Sequence, residues 1–257
     1  MPTFENIVWE HQAPGGKVLV YGAQPSMTHD QSSVFRALAT ASKDGANPRK
    51  IAVLAPASTR NDVGYQLIKA PEYYSSDKFG RQEVDGVVLT EYNSAVCIPT
   101  GDCATLVLIH PQKVVAVHAG RAGLECFSGS NACSANVVHH AYSFFSARQR
   151  TELCAYIICT IGPKDFRHDD DYGQKLVRPF FETYGERVFV GDPSLGMLDM
   201  VKLIRCQCIG FGTPQEQVIW DGLDTFGNPN LASHREQTAM KVPRTQYQRN
   251  KIFVHHL

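Results

Sequence analysis

A thiol and an imidazole flank one pair of apolar runs. Cys103 closes the segment Thr100-Gly101-Asp102-Cys103. The run Ala104 to Ile109 follows, a Pro111-Gln112-Lys113 turn reverses the chain, and Val114 to Val117 leads into His118-Ala119-Gly120. Apolar, β-branched runs on either side of a short proline-containing connection are the pattern of two antiparallel strands joined by a tight loop. Folding about Gln112 brings Cys103 back opposite His118 to Gly120. Cross-strand Cβ atoms lie about 5 Å apart and diagonal ones about 7 to 8 Å, so the two groups can share a hydrogen bond or a metal ion. Thiolate and neutral imidazole suit zinc, and without a metal the same pair is a nucleophile beside its base. Asp102, next to the thiol, joins Cys103 and His118 in the candidate catalytic set as a carboxylate that caps or orients the turn.

These groups must be carried by a sizeable core. The chain has 257 residues, 43% of them apolar and 19% charged, enough for one large domain spanning 1–257. Lysine plus arginine equals aspartate plus glutamate at 25 each, so no overall field draws the protein to nucleic acid or an anionic membrane. The N-terminus has neither a basic n-region nor an apolar h-region, and no apolar run approaches the roughly 18 residues of a membrane span. A cytoplasmic protein with a small-molecule substrate is expected. The eight cysteines sit mostly inside apolar runs (Cys97, Cys154, Cys159, Cys206), which reads as buried thiols and not as four disulfides.

Strand patterns occupy Lys17 to Tyr21, Lys50 to Ala55, Val84 to Thr90, Ala95 to Pro99, the hairpin, Ala155 to Gly162, Arg187 to Val190 and Ile252 to Val254. Helical periodicity marks Ser32 to Ser42, Asn131 to Phe145, Gly173 to Tyr184 and Met197 to Cys208. The polar, glycine-rich stretch after Asp221 reads as a long loop. The mixture predicts an α+β fold with a mixed and antiparallel sheet core, hairpins, and helices packed outside.

Val84-Asp85-Gly86-Val87-Val88-Leu89-Thr90, Thr100-Gly101-Asp102-Cys103 and His118-Ala119-Gly120 resemble successive motifs of the laccase-domain family, also called the YfiH-like or polyphenol-oxidase family. Ile161-Gly162-Pro163 with Phe166, Leu198-Asp199-Met200, and Asp224-Thr225 followed by Ser233-His234-Arg235 extend the resemblance over roughly residues 50 to 240. Members of that family are mostly regarded as purine nucleoside phosphorylases. The resemblance implies a zinc or copper ion held by two histidines and a cysteine beside a nucleoside pocket, with phosphorolysis or deamination as the reaction. Cys103 and His118 take the positions of the cysteine and the second histidine. Arg121, Gln66, Ser233, His234 and Arg235 are the substrate-binding candidates.

The chain departs from the family pattern at two places. The family's first histidine, in a Gln-Val-His segment, has its best counterpart in Gln66-Leu67-Ile68, where Ile68 cannot bind a metal; His29, His139, His140 or His234 would have to complete the set. The usual His-Ala-Gly-Trp-Arg-Gly reads His118-Ala119-Gly120-Arg121-Ala122-Gly123, with the arginine one place early. An alternative therefore stands beside the metal reading. The same broad fold resembles the catalytic domains of cytotoxic necrotizing factors and chemoreceptor glutamine deamidases, in which a Cys/His pair without metal attacks a carboxamide. A ligand-binding member without activity is the third possibility. His168-Asp169-Asp170-Asp171 lacks the alternating spacing of a calcium loop and reads as a solvated acidic loop, and Cys206-Gln207-Cys208 is too tightly spaced for a zinc knuckle.

Overall fold

Apolar strands, the central ones buried on both faces, build two stacked sheets. The computed structural model describes residues 7–25, 50–54, 68–71, 83–125 and 136–257. The first sheet runs β1 (Ile7–Ala13), β2 (Gly16–Pro25), β11 (Gln248–His256), β6 (Ser94–Thr100), β3 (Lys50–Val53). The second runs β10 (Val218–Trp220), β9 (Cys154–Ile158), β7 (Ala104–His110), β8 (Lys113–Ala119), β5 (Gly86–Leu89), β4 (Ile68–Lys69). Both sheets mix parallel and antiparallel pairs. Five α-helices occur among the described residues: α1 (Val137–Ser143), α2 (Ala147–Thr151), α3 (Asp171–Tyr184), α4 (Met200–Gly210) and α5 (His234–Ala239). The expected α+β class is borne out.

Every residue of β7 is buried, because its two faces serve two cores. Leu106 and Leu108, with Val115 and Val117 of β8, meet α1, α3 and α4 through Val138, Phe180 and Leu203. Val107 and Ile109, with Val114 and Ala116, meet the first sheet through Val18, Val96, Ile98 and Val254. The second sheet is thus the middle layer of a sheet, sheet and helix stack. Side-chain caps start the helices: Asn136 accepts from His139 N, Asp170 from Gly173 N, and Asp199 from Lys202 N, each satisfying an otherwise orphaned donor.

Three expectations change. Arg187 to Val190 is no strand: a 3-10 turn over Gly185–Val188 opens on Gly185 at φ 63, and Phe189 makes only an isolated bridge to Leu198. Its apolar residues pack into the helix-side core instead of a ladder. The stretch after Asp221 is not all loop, because Ser233 accepts a hydrogen bond from Glu236 N and starts α5. The acidic segment at 168–171 is exposed at its three aspartates, as expected, but His168 is buried and Asp170 caps α3, which begins at Asp171. The helix expected at Ser32 to Ser42 lies outside the described residues, and β1, half-exposed and rich in polar residues, carries no strong strand pattern. Six cysteines among the described residues are free thiols. No helix among them is long and apolar enough to cross a membrane.

The end of the middle layer holds a titrating joint. Cys159 adopts φ 53, and its N–H donates to Asp221 Oδ2 at 2.8 Å while Leu223 N–H donates to Oδ1 at 3.0 Å. Burial, opposed by these hydrogen bonds, raises the partly exposed Asp221 carboxyl from 3.8 to about 7. A raised acid binds its proton more tightly in the folded state. This contribution to stability is therefore full below pH 3.8 and lost as pH climbs through about 7. Urea unfolding at pH 5 and pH 8 should show this decline in wild type and a flatter profile in Asp221→Asn. Leu108→Ala, cut from the centre of the helix-side core, should cost about 2–5 kcal/mol in the same assay.

Candidate functional site

The β7–β8 ladder pairs Ala104 with Ala119 and Thr105 with His118, which carries Cys103 across to Gly120. A Cβ built on Gly120 would lie 3.3 Å from Cys103 Sγ and 3.1 Å from His118 Cε1, so this glycine leaves the space in which thiol and imidazole converge. The other neighbour of β8 is β5, where Gly86 pairs with Val117. One step further along that register, Asp85 lies beside His118. Its carbonyl accepts His118 N–H at 2.7 Å, and its Oδ1 is 3.5 Å from His118 Nδ1. Asp85 is fully buried and His118 nearly so, whereas Cys103 is partly exposed. Three adjacent strands therefore set Asp85, His118 and the Cys103 turn side by side.

Burial by itself would lower the pKa of His118. The charge of Cys103 outweighs it together with hydrogen bonds to Asp85 and Cys103, and the imidazole is raised from 6.5 to about 9. Thr105, cross-strand from His118, has a buried hydroxyl with no hydrogen-bond partner among the described residues.

Asp102 is committed elsewhere. Its Oδ1 accepts from Thr225 Oγ1 at 2.8 Å and its Oδ2 from Arg235 N–H at 2.7 Å. Its carbonyl accepts from Thr160 Oγ1 at 3.1 Å and from Ile161 N–H at 3.1 Å. Thr100 Oγ1 donates to the Cys103 carbonyl. Asp102 thus clamps the peptide before the thiol to the end of β9 and the start of α5, the work of an orienting group.

The remaining candidates divide. Arg121 Nη1 donates to Leu176 O at 3.0 Å on α3, and the guanidinium still feels the charge of Cys103. Arg235 donates to Asp165 O at 2.9 Å and Arg167 O at 3.1 Å, with its guanidinium 4.8 Å from the Phe166 ring centre. Ser233 caps α5. His234 reaches the thiol turn, its Cβ 3.2 Å from where a Cβ of Gly101 would stand. Gln66 lies outside the described residues. His139 and His140, on α1, lie against Phe211 and Phe144, and His29 is outside the described residues. Burial, reinforced by Arg235 and Arg121, pushes His168 down to about 4.

Asp85 and Arg249 were not among the candidates. Asp85 had a signal, an acid opening the apolar run Gly86 to Leu89. Arg249 had none, because only the pairing of β11 with β6 brings it near Cys103. A groove of about 500 Å³ beside α3, lined by Gln174, Phe181 and Phe189 among others, shares no residue with this centre.

A family model described as multi-copper polyphenol oxidoreductase laccase matches residues 28–243. The chain belongs to the laccase-domain family. YlmD from Geobacillus stearothermophilus superposes with a TM-score of 0.67 at 16% identity, over 94% of this chain and 92% of that one. The Bacillus licheniformis hypothetical protein YfiH gives 0.62 at 15%, over 95% and 97%, and a Neisseria meningitidis protein of family DUF152 gives 0.64 at 17%, over 98% and 99%. At these identities the likeness shows the fold. No curated protein matches by sequence.

The laccase-domain name implies a metal, which requires donors. Among the described residues no group of three His, Cys, Asp or Glu side chains is placed to hold one. Ile68, at the position expected for the first histidine, is buried in the apolar helix-side core, and no histidine occurs between His29 and His110. Among the described residues a three-donor centre does not fit, whereas a paired Cys103, His118 and Asp85 cluster does.

Because the folded pKa of His118 lies above its free value of 6.5, its contribution to stability is full below pH 6.5 and fades as pH rises through about 9. Asp85→Asn weakens the hold on the imidazolium and should flatten the loss of melting temperature between pH 7 and 10, measured by differential scanning fluorimetry.

Proposed function

We propose that this laccase-domain chain is an enzyme acting on purine nucleosides, with phosphorolysis of the glycosidic bond at Cys103, His118 and Asp85 as its reaction. The observation that supports this reading is a buried imidazole, favoured in its protonated form between Asp85 and Cys103, beside a rim bearing Arg121 and Arg249. Phosphorolysis needs a proton donor next to an anion seat. A phosphate oxygen attacks C1′ of the ribose, the C1′–N9 bond breaks, and its electron pair passes to the purine. His118 supplies the proton that lets the base leave, and Asp85 keeps the ring aimed while the charge changes. Cys103 is the ring's second partner. The products are a purine base and ribose 1-phosphate.

A second reading is favoured by one specific observation: the partly exposed Cys103 adjoins an imidazole backed by a buried carboxylate, the order of groups that activates a thiol. In that reading Sγ attacks a carboxamide carbon. Ammonia leaves with a proton from His118, and water hydrolyses the thioester. The backbone N–H groups of Gly101 to Cys103 would face the oxyanion.

Chromatographic assay of adenosine, inosine and guanosine with phosphate separates the two. The first reading expects base release that needs phosphate and falls by about 100-fold or more in kcat/KM in His118→Ala. Absence of base release, with ammonia liberated from glutamine amides and lost in Cys103→Ser, supports the thiol reading and sinks the first.

A further inference from the structure

The arginines near the thiol are unequally occupied. Arg121 and Arg235 spend hydrogen bonds on carbonyls of α3 and of the loop before it. Among the described residues Arg249 has a single hydrogen-bond acceptor, the carbonyl of its own neighbour Gln248 at 3.0 Å, and no carboxylate within ion-pair distance.

Its position is built with care. Arg249 stands near the start of β11, where the ladder to β2 slips register between Arg249 and Lys251; such irregularities re-aim a side chain. Its neighbour Asn250, fully buried, pins the spot: Oδ1 accepts Ala232 N–H at 2.7 Å, and Nδ2 donates to Ala232 O at 2.9 Å and to Gly101 O at 3.4 Å. That bond set ties β11 to the thiol turn and to the residue before Ser233. Arg249 Nη1 lies 3.8 Å from where a Cβ of Gly101 would be, with His234 Cβ at 3.2 Å from the same point. Both side chains thus converge over a position that carries no side chain. Tyr247 backs them, its ring edge-on to His234 at 5.3 Å and under the Arg249 guanidinium at 5.5 Å.

We propose that Arg249, with His234 beside it over Gly101, is a seat for a phosphoryl oxyanion at the rim of the Cys103 centre. A planar guanidinium presents a fork of donors that matches two phosphate oxygens, and the half-buried position of Arg249 leaves it less hydrated than a fully exposed arginine, so that an arriving anion gains a partner water does not fully replace. The oxyanion has two sources, free inorganic phosphate or a phosphoryl group already on the substrate. The role of the seat in turnover rests on the nucleoside reading above; its affinity for an oxyanion does not.

Calorimetric titration of the full chain with inorganic phosphate, adenosine and adenosine 5′-monophosphate tests it. Phosphoryl binding should weaken by at least about tenfold in Arg249→Gln, and less in Arg249→Lys, which keeps the charge but loses the fork. Arg121→Gln, whose guanidinium is already engaged, should weaken it less than Arg249→Gln. A preference for the 5′-monophosphate over adenosine that vanishes in Arg249→Gln assigns the seat to the substrate's own phosphoryl group. Arg249-dependent binding of inorganic phosphate without that preference assigns it to the free ion. Should Arg249→Gln fail to fold, Arg249→Lys decides: weakened binding supports the seat. Unchanged phosphoryl affinity in the folded variants, or no phosphoryl binding by the wild type, overturns it. Arg249-dependent phosphate binding without nucleoside turnover keeps the seat and removes the nucleoside reading alone.

Discussion

The register of one hairpin carries the site. Pro111 and Gln112 form the whole connection between β7 and β8, so Thr105 must face His118 and Ala104 must face Ala119. Because strand side chains alternate, a slip of one residue would send His118 into the helix-side core and Val117 into the site. Burial of Leu106, Leu108, Val115 and Val117 on one face and Val107, Ile109, Val114 and Ala116 on the other opposes that slip at every position. The placement of Cys103, His118 and Asp85 is thereby held by the same apolar contacts that hold the middle layer of the fold.

The polar groups then follow from what the hairpin leaves unsatisfied. A buried imidazole costs free energy unless it is paired, and β5 supplies both the backbone acceptor and the carboxylate of Asp85. The thiol turn, which lies past the end of the ladder, is held by Asp102 through four hydrogen bonds from Thr225, Arg235, Thr160 and Ile161. Asn250 and Thr100 donate to the carbonyls of Gly101 and Cys103. The result is a rigid floor with one accessible thiol, reached from a rim of cations that are themselves only partly hydrated.

What could be read in the sequence was local. The hairpin, its Cys/His ends, the α+β class and the laccase-domain family all rest on patterns within a few residues or on the order of short motifs. The pairing of β5 with β8 is not local, so Asp85 was seen as part of a motif but not as a partner of His118. Arg249 lies farther still and gave no sign. Arg187 to Val190 misled because β-branched residues near a helix end pack into a core as readily as into a ladder. Ser233 and Glu236 carried the spacing of a helix start, overlooked among the glycines and prolines around them. Asp102 reads as an orienting carboxylate beside Cys103, yet the two donors to its carboxylate and the two to its carbonyl come from segments far apart in the chain.

The account stands on contact between a protonatable ring and a sulfur at the open end of the β7–β8 ribbon. Proton-detected NMR titration of the His118 ring in wild type and in Cys103→Ser tests that contact most directly. A midpoint raised well above 6.5, to about 9, is expected in wild type, and it falls when the sulfur is replaced. A midpoint at the ordinary imidazole value, the same in both proteins, would contradict it.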